Sequence, residues 1–152
     1  MTTRLALREE FNDPVARHDY AEIFGNSAIA LQIKILRLQR GLSQGDLAAR
    51  AEMKQSRISA MEQASYSGWS IRTLRRLARA FDLALVVRFE SFDRFLDDVT
   101  APDKRETLER PSFADDPAFH PGQQPAPITY LSARVRDMAG YREGELRLTS
   151  HG

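Results

Sequence analysis

The spacing of apolar positions changes along the chain, and each change marks an element. "TRLALREEF" (3–11) predicts a first helical turn or two. "NDP" then reads as a stop and a restart. Asn12 or Asp13 can cap, and Pro14 suits the first helical position, where no backbone N–H is needed. Val15, Asp19 or Tyr20, and Ile23 follow at helical spacing, and Gly25 predicts a stop. A new helix is expected from Asn26 or Ser27 to Arg40, with Ala28, Leu31, Ile35 and Leu38 as its apolar stripe and Gly41 as its end. Ser43 caps a short helix over 43–50, and Asp46 can return the cap to Ser43, with Asp in the place of Glu. Leu47 and Ala48 face inward. Residues 51–54 are a tight break, 55–63 a second short helix, and 64–70 a loop with Ser70 as the next cap. Ile71, Leu74, Leu77, Ala78 and Phe81 then make a strongly amphipathic helix.

At residue 83 the period falls to two. Leu83, Leu85, Val87 and Phe89 alternate with Ala84, Val86, Arg88 and Glu90, the signature of a strand. A single strand cannot satisfy its own backbone groups, so a partner strand is required. "SFDRFLDDV" (91–99) predicts a short amphipathic helix. Beyond residue 100 the pattern fades. Six of the seven prolines lie between 102 and 127, and that stretch is acidic. Residues 100–152 are therefore expected to be a Pro-rich, acidic and largely disordered tail, with a weak helical pattern at Leu131, Val135 and Met138.

The short helix "MKQSRISAMEQ" (53–63) has two incompatible faces. Ile58 and Met61 share one side; Ser56, Ala60 and Gln63 fall opposite, with Arg57 and Ser59 at the edges. The outer face is slim and polar, without the Glu and Lys of an ordinary solvated helix. Glu62 lies only roughly 40° from Ile58 on the wheel, which turns a carboxylate toward the core, where it needs a cationic partner.

Charge sharpens this picture. The net charge of +1 conceals an asymmetry, because residues 27–90 carry 11 Lys and Arg against 5 Asp and Glu, while residues 91–127 carry 4 against 8. A polyanion would bind the middle piece. There is no cysteine, which removes disulfides, thiolate metal sites and thiol catalysis. No apolar run is long enough to span a membrane, and acids occupy the N-terminal stretch where a signal peptide needs apolar residues, so a soluble, cytoplasmic protein is expected. His18, His120 and His151 have no metal-ligand spacing, and phosphate-loop and nucleophile motifs are absent. No cofactor, metal site or enzymatic activity is expected.

Two short helices, 43–50 and 55–63, joined by a tight turn, have the helix-turn-helix layout, in which the second helix enters the DNA major groove. A slim outer face suits a groove about 12 Å wide. Gln55 and Arg57 carry donors for purine edges, Ser56 and Ser59 can reach bases or phosphates, and Gln44 opens the preceding helix, where free N–H groups suit a phosphate. The run "LRLQRGLSQGDLAARAEMKQSRISAMEQ…SIRTLRRLARAFDL" resembles the Xre/Cro family of phage-repressor-like helix-turn-helix regulators over residues 27–83, through Arg37, Gly41, "LSQ", "LA", "QSRIS", Glu62 and "L..LA.AF". The resemblance implies DNA contacts from Gln44 and Gln55, with Ser56, Arg57, Ser59 and Ala60 facing bases or backbone, and an ion pair between Arg37 and Glu62. Ser43, Lys54 and Gln63 complete the candidate DNA-binding set. The sequence departs from the family pattern at Glu52 and Ala64, where glycine is usual, and in the loop "SYSGWS", which lacks basic residues, leaving Tyr66 or backbone N–H groups for phosphates and Arg72, Arg75 and Arg76 as possible compensation.

The expected fold is mainly α. It comprises an N-terminal helical extension (1–25), a five-helix repressor-like helix-turn-helix domain (26–83), a strand and short helix for dimerisation (84–99) and the irregular tail (100–152). The expected function is a sequence-specific transcription regulator, a repressor that binds double-stranded DNA at a palindromic operator as a homodimer. Leu85, Val87 and Phe89 form the expected dimer interface, with pairing of the strand to residues 128–135 as the alternative. The rival reading is an antitoxin that regulates its own operon and uses the tail to hold a toxin, a protein partner that would order the segment on binding.

Overall fold

The structure, a computed structural model, describes residues 4–100 and 108–122. Six α-helices follow in order: α1 (Arg4–Glu10), α2 (Pro14–Gln39), α3 (Gln44–Arg50), α4 (Gln55–Met61), α5 (Ile71–Phe81) and α6 (Phe92–Thr100), with a 3-10 turn at Phe113–Asp115. Four of them, the C-terminal half of α2 with α3, α4 and α5, make up residues 26–83, where five were expected.

Helix α2 begins as the sequence dictates. The Asp13 side chain accepts from the Val15 N–H, and Pro14 occupies the first turn. It then runs through Gly25, where a stop was expected. A glycine inside a helix costs roughly 1 kcal/mol, and packing on both sides of it outweighs that. Phe24 meets the Phe95 ring edge-on at 5.3 Å, and Ile29 packs on the main core. The stripe that enters the core is Ile29, Ile33 and Leu36, not Ala28, Leu31, Ile35 and Leu38. This half of α2 is apolar around most of its circumference, so periodicity alone does not select the face. Ile35 is buried outside that cluster, while Leu31 and Leu38 are half-buried.

The main core joins Ile33 and Leu36 of α2 to Leu47 and Ala48 of α3, Ala51 at the end of α3, Ile58 and Met61 of α4, and Leu77 and Phe81 of α5. A second cluster forms where α1 lies on α6. Leu7, Phe11 and Leu96 are buried there, and Tyr20, Phe92, Phe95 and Val99 close around them. Arg4 bonds Asp93 at 3.0 Å and also Asp97, and Arg8 reaches Asp93 at 3.4 Å. Burial in this cluster raises the Tyr20 phenol above its ordinary value.

Residues 83–91 have no regular secondary structure, and the strand expected there does not occur among the described residues. Leu85 is partly exposed, Val86 is 75% and Val87 66% exposed, and Phe89 is fully exposed. Within the tail, residues 108–122 lie on the domain through backbone bonds. The Phe113 N–H donates to the Asp82 carbonyl (3.1 Å), Arg40 Nη2 to the Arg110 carbonyl (3.2 Å), and Gln32 Nε2 to the Leu108 carbonyl (3.3 Å). There Phe113 meets the Phe119 ring at 4.9 Å in a tilted contact and the His120 ring edge-on at 5.4 Å. Residues 108–122 of the tail thus lie against the helical domain. The weak helical pattern at 128–148 and the alternative strand partner at 128–135 lie outside the described residues.

Candidate nucleic-acid interface

Three helix ends set the geometry of the face. α2 ends at Gly41 (φ 64°), with the Leu42 N–H on the Arg37 carbonyl at 3.1 Å. α3 ends the same way at Glu52 (φ 54°), with the Met53 N–H on the Ala48 carbonyl at 2.8 Å and the Glu52 N–H on the Ala49 carbonyl at 3.2 Å. α5 ends at Asp82 (φ 55°). Glycine takes the left-handed conformation without cost; Glu52 does not, at roughly 1 kcal/mol or more. Arg76 of α5 offsets this by donating to the Ala51 carbonyl (3.1 Å) and to the Glu52 carbonyl, covering the orphan carbonyls of the turn.

Ser43 and Asp46 form the reciprocal cap of α3. The Asp46 N–H donates to Ser43 Oγ (3.0 Å), and the Ser43 N–H and Oγ donate to Asp46 Oδ2 (2.9 and 2.7 Å). The Ser43 hydroxyl, then its N–H, hold the Asp46 carboxylate below its ordinary value. Both Ser43 oxygen and carboxylate are therefore committed to the helix start.

The carboxylate that α4 turns inward has its partner. Arg37 is 7% and Glu62 6% exposed. Arg37 Nε donates to Glu62 Oε1 (2.5 Å) and Nη2 to Oε2 (3.0 Å), while Nη1 donates to the Leu42 carbonyl (2.9 Å). Gln44 joins the pair, its Nε2 donating to Glu62 Oε2 at 3.0 Å. The pair thus locks α2, the α2–α3 turn, the first residue of α3 and the end of α4 together. Desolvation makes such a pair contribute little net stability, but it fixes one arrangement, and a lone buried charge is costly.

The outer face of α4 stands as the wheel requires. Ser56, Ala60 and Gln63 are exposed opposite buried Ile58 and Met61, and Ser59 is half-buried at one edge. Gln63 Nε2 reaches back to the Ser59 carbonyl at 3.4 Å. Gln55 and Lys54 are exposed at the helix start, and no side chain caps it. The starts of α3 and α4 meet: Gln55 Oε1 lies 3.8 Å from the place of a Cβ on Gly45. Gln55 thus lies beside the first turn of α3, while the Gln44 side chain is held by Glu62. Arg57 is placed differently from the rest. Its Nη2 donates to Thr73 Oγ1 of α5 at 2.9 Å, so the guanidinium leans off the flank of α4.

Thr73 is the member that sequence reasoning missed; Ser70 was expected only as a helix cap and Arg76 only as a phosphate contact. Ser70 Oγ accepts the Thr73 N–H (3.2 Å) and donates to Thr73 Oγ1 (2.9 Å), and Thr73 is buried. The cap spacing Ser70–Thr73 was a signal for a helix start; nothing in it announced a partner for Arg57. In the following loop the Tyr66 hydroxyl donates to the Gly68 carbonyl (3.1 Å) and its ring meets Trp69 at 4.7 Å, so Tyr66 is engaged within the loop. Arg72 and Arg75 are exposed. Among the described residues no group of His, Asp and Glu is placed to hold a metal ion, and no helix is long and apolar enough to cross a membrane.

Residues 33–87 match the family model described as helix-turn-helix. No curated protein and no solved structure matches the chain.

Proposed function

We propose, from the match of residues 33–87 to a helix-turn-helix family model, that the chain is a DNA-binding transcription regulator of the Xre/Cro-like kind, a repressor reading a palindromic operator as a homodimer. The observation that carries the reading is the outer face of α4. It is slim, polar and exposed at Ser56, Ala60 and Gln63, while the one carboxylate of that helix is buried against Arg37. A groove lined by phosphates accepts such a face and would repel an acidic one. Gln55, Ser56 and Ser59 are the proposed base-reading and groove-facing groups; Ser43, Gln44 and Lys54 flank them.

One such helix contacts too few base pairs for strong discrimination, which calls for a second copy. Support for pairing comes from residues 84–90. They lie outside any helix, alternate in polarity, and leave Leu85, Val87 and Phe89 exposed in the single chain. Pairing with the same segment of another copy satisfies both backbones and covers the three side chains. The antitoxin reading draws on the acidic tail. Its residues 108–122 already lie against Gln32, Arg40 and Asp82, which leaves the repressor reading in front.

The test is selection of binding sites from a random duplex library, followed by light scattering of the free and bound chain. The expected result is an inverted repeat with half-site centres about 34 Å apart, or a multiple of that, bound by two copies. Recovery of no common sequence would contradict the reading.

A further inference from the structure

Beside the base-reading face lies an open cleft of about 370 Å³, lined by Glu52, Met53, Lys54, Ser56, Arg57 and Arg76. Three of these six side chains are cationic and one is acidic. Arg76 is committed to the carbonyls of Ala51 and Glu52, which leaves Lys54 and Arg57 as the further cations of the cleft, against the single exposed carboxylate of Glu52. Lys54 is exposed. Arg57 is held at one wall by Thr73, a buried hydroxyl that Ser70 orients in turn. A guanidinium anchored by one N–H still offers its others, in the planar fork that suits a phosphate.

The geometry points to this cleft as the seat of one DNA backbone phosphate, gripped by Arg57 and Lys54 with the Ser56 hydroxyl, and to Thr73 as the residue that positions Arg57 for it. Arg57 then anchors the recognition helix against the backbone at its α5 side and does not read a base. The sequence alone suggested a base-reading role, because donor chemistry does not distinguish a purine edge from a phosphate; the bond to Thr73 does, by drawing the side chain off the outer face. This inference rests on the proposed entry of α4 into the groove.

The two roles leave different traces in salt. Each phosphate neutralised by a cation contributes about −0.9 to the slope of log affinity against log salt. The experiment titrates the full chain against a selected duplex and a random-sequence duplex over a range of salt concentrations. Arg57→Gln keeps a donor for Thr73 but removes the charge. It is expected to flatten the slope by about one and to weaken both duplexes by the same factor. Thr73→Val is expected to weaken both duplexes in the same way but less, and Thr73→Ser to restore wild-type binding, with folding of each variant confirmed by circular dichroism. Gln55→Ala, in the same titrations, is expected to lose selectivity with the slope unchanged. Loss of selectivity in Arg57→Gln at an unchanged slope would overturn the phosphate assignment. Equal binding by Thr73→Val and wild type would overturn the positioning role. A Gln55→Ala variant that loses both duplexes equally would instead remove the base-reading premise, while the Arg57→Gln slope still decides the phosphate.

Discussion

Residues 53–63 and residues 84–90 both lie at the surface, and they expose opposite chemistry. The first stretch hides Ile58, Met61 and its acid, and shows hydroxyls, amides, a methyl group and the cations Lys54 and Arg57. The second shows Val86, Val87 and Phe89 to water. The first is complete within one chain: its inner side is packed, its carboxylate paired, its turn capped by Arg76. The second has neither ladder nor cover among the described residues. A face that suits a hydrated, charged polymer is thus built by the chain itself, whereas an apolar extended segment implies a partner that supplies both hydrogen bonds and apolar area.

The largest effect is expected where the second stretch is broken. Val86→Pro removes a ladder donor from the middle of the proposed pairing. The chain should become monomeric in light scattering while its helical circular dichroism persists, since the helices have their own core. Affinity for the selected operator should fall toward the non-specific level, a loss of about 10³-fold or more. A wild type that is already monomeric at micromolar concentration would remove the contrast altogether.

Next in size is the acid within the first stretch. Glu62→Ala strands Arg37, which is 7% exposed, and should cost about 3–5 kcal/mol in denaturant unfolding. Changing both residues to apolar ones should cost less than the two single changes together; additive losses would show that the pair is not coupled.

How far each stretch was legible follows from where its information lies. The inward acid of α4, the Ser43–Asp46 cap and the Gly41 stop are local signals, a few residues apart, and the structure places them as the sequence implies. The Arg37–Glu62 pair spans 25 residues; the inward acid called for a cation, but it was the family resemblance that named Arg37. The contact of α1 with α6 was not legible. Arg4 meets Asp93 across 89 positions, and nothing local to either helix names the other. Gly25 misled because a glycine signals a stop only where no packing sustains the helix on both sides. Residues 108–122 attach largely through main-chain groups, which every residue carries, so side-chain pattern could not reveal them. Residues 84–90 show the remaining limit: alternation predicts a strand but does not supply a pairing partner, and the single chain forms no strand there among the described residues.

Smaller effects sharpen the account of the turn that presents α4. Glu52→Gly relieves a left-handed non-glycine and should stabilise the domain by about 1 kcal/mol in denaturant unfolding, with the gain reduced by the added freedom of the unfolded chain. A destabilised variant would mean that the Glu52 side chain contributes more than its backbone costs.

The smallest effect is the pH dependence of the α3 cap. Asp46 is held below its ordinary value of 3.8, first by the Ser43 hydroxyl and then by the Ser43 N–H. A carboxylate depressed in the folded state binds its proton more readily when unfolded. Its stabilisation is present above pH 3.8 and is lost as pH falls through the depressed value. Wild type should therefore melt above Asp46→Asn near neutral pH, with the difference narrowing on acidification. A gap in melting temperature that is independent of pH would exclude a charged cap.

The central claim is that the outer face of α4 reads base edges. The most direct measurement is operator discrimination, base pair by base pair, for wild type and Gln55→Ala. The account predicts that Gln55→Ala loses about 1–3 kcal/mol of preference at one symmetrical pair of operator positions and keeps it at the others. Uniform weakening at every position, with the pattern of preference unchanged, would contradict it.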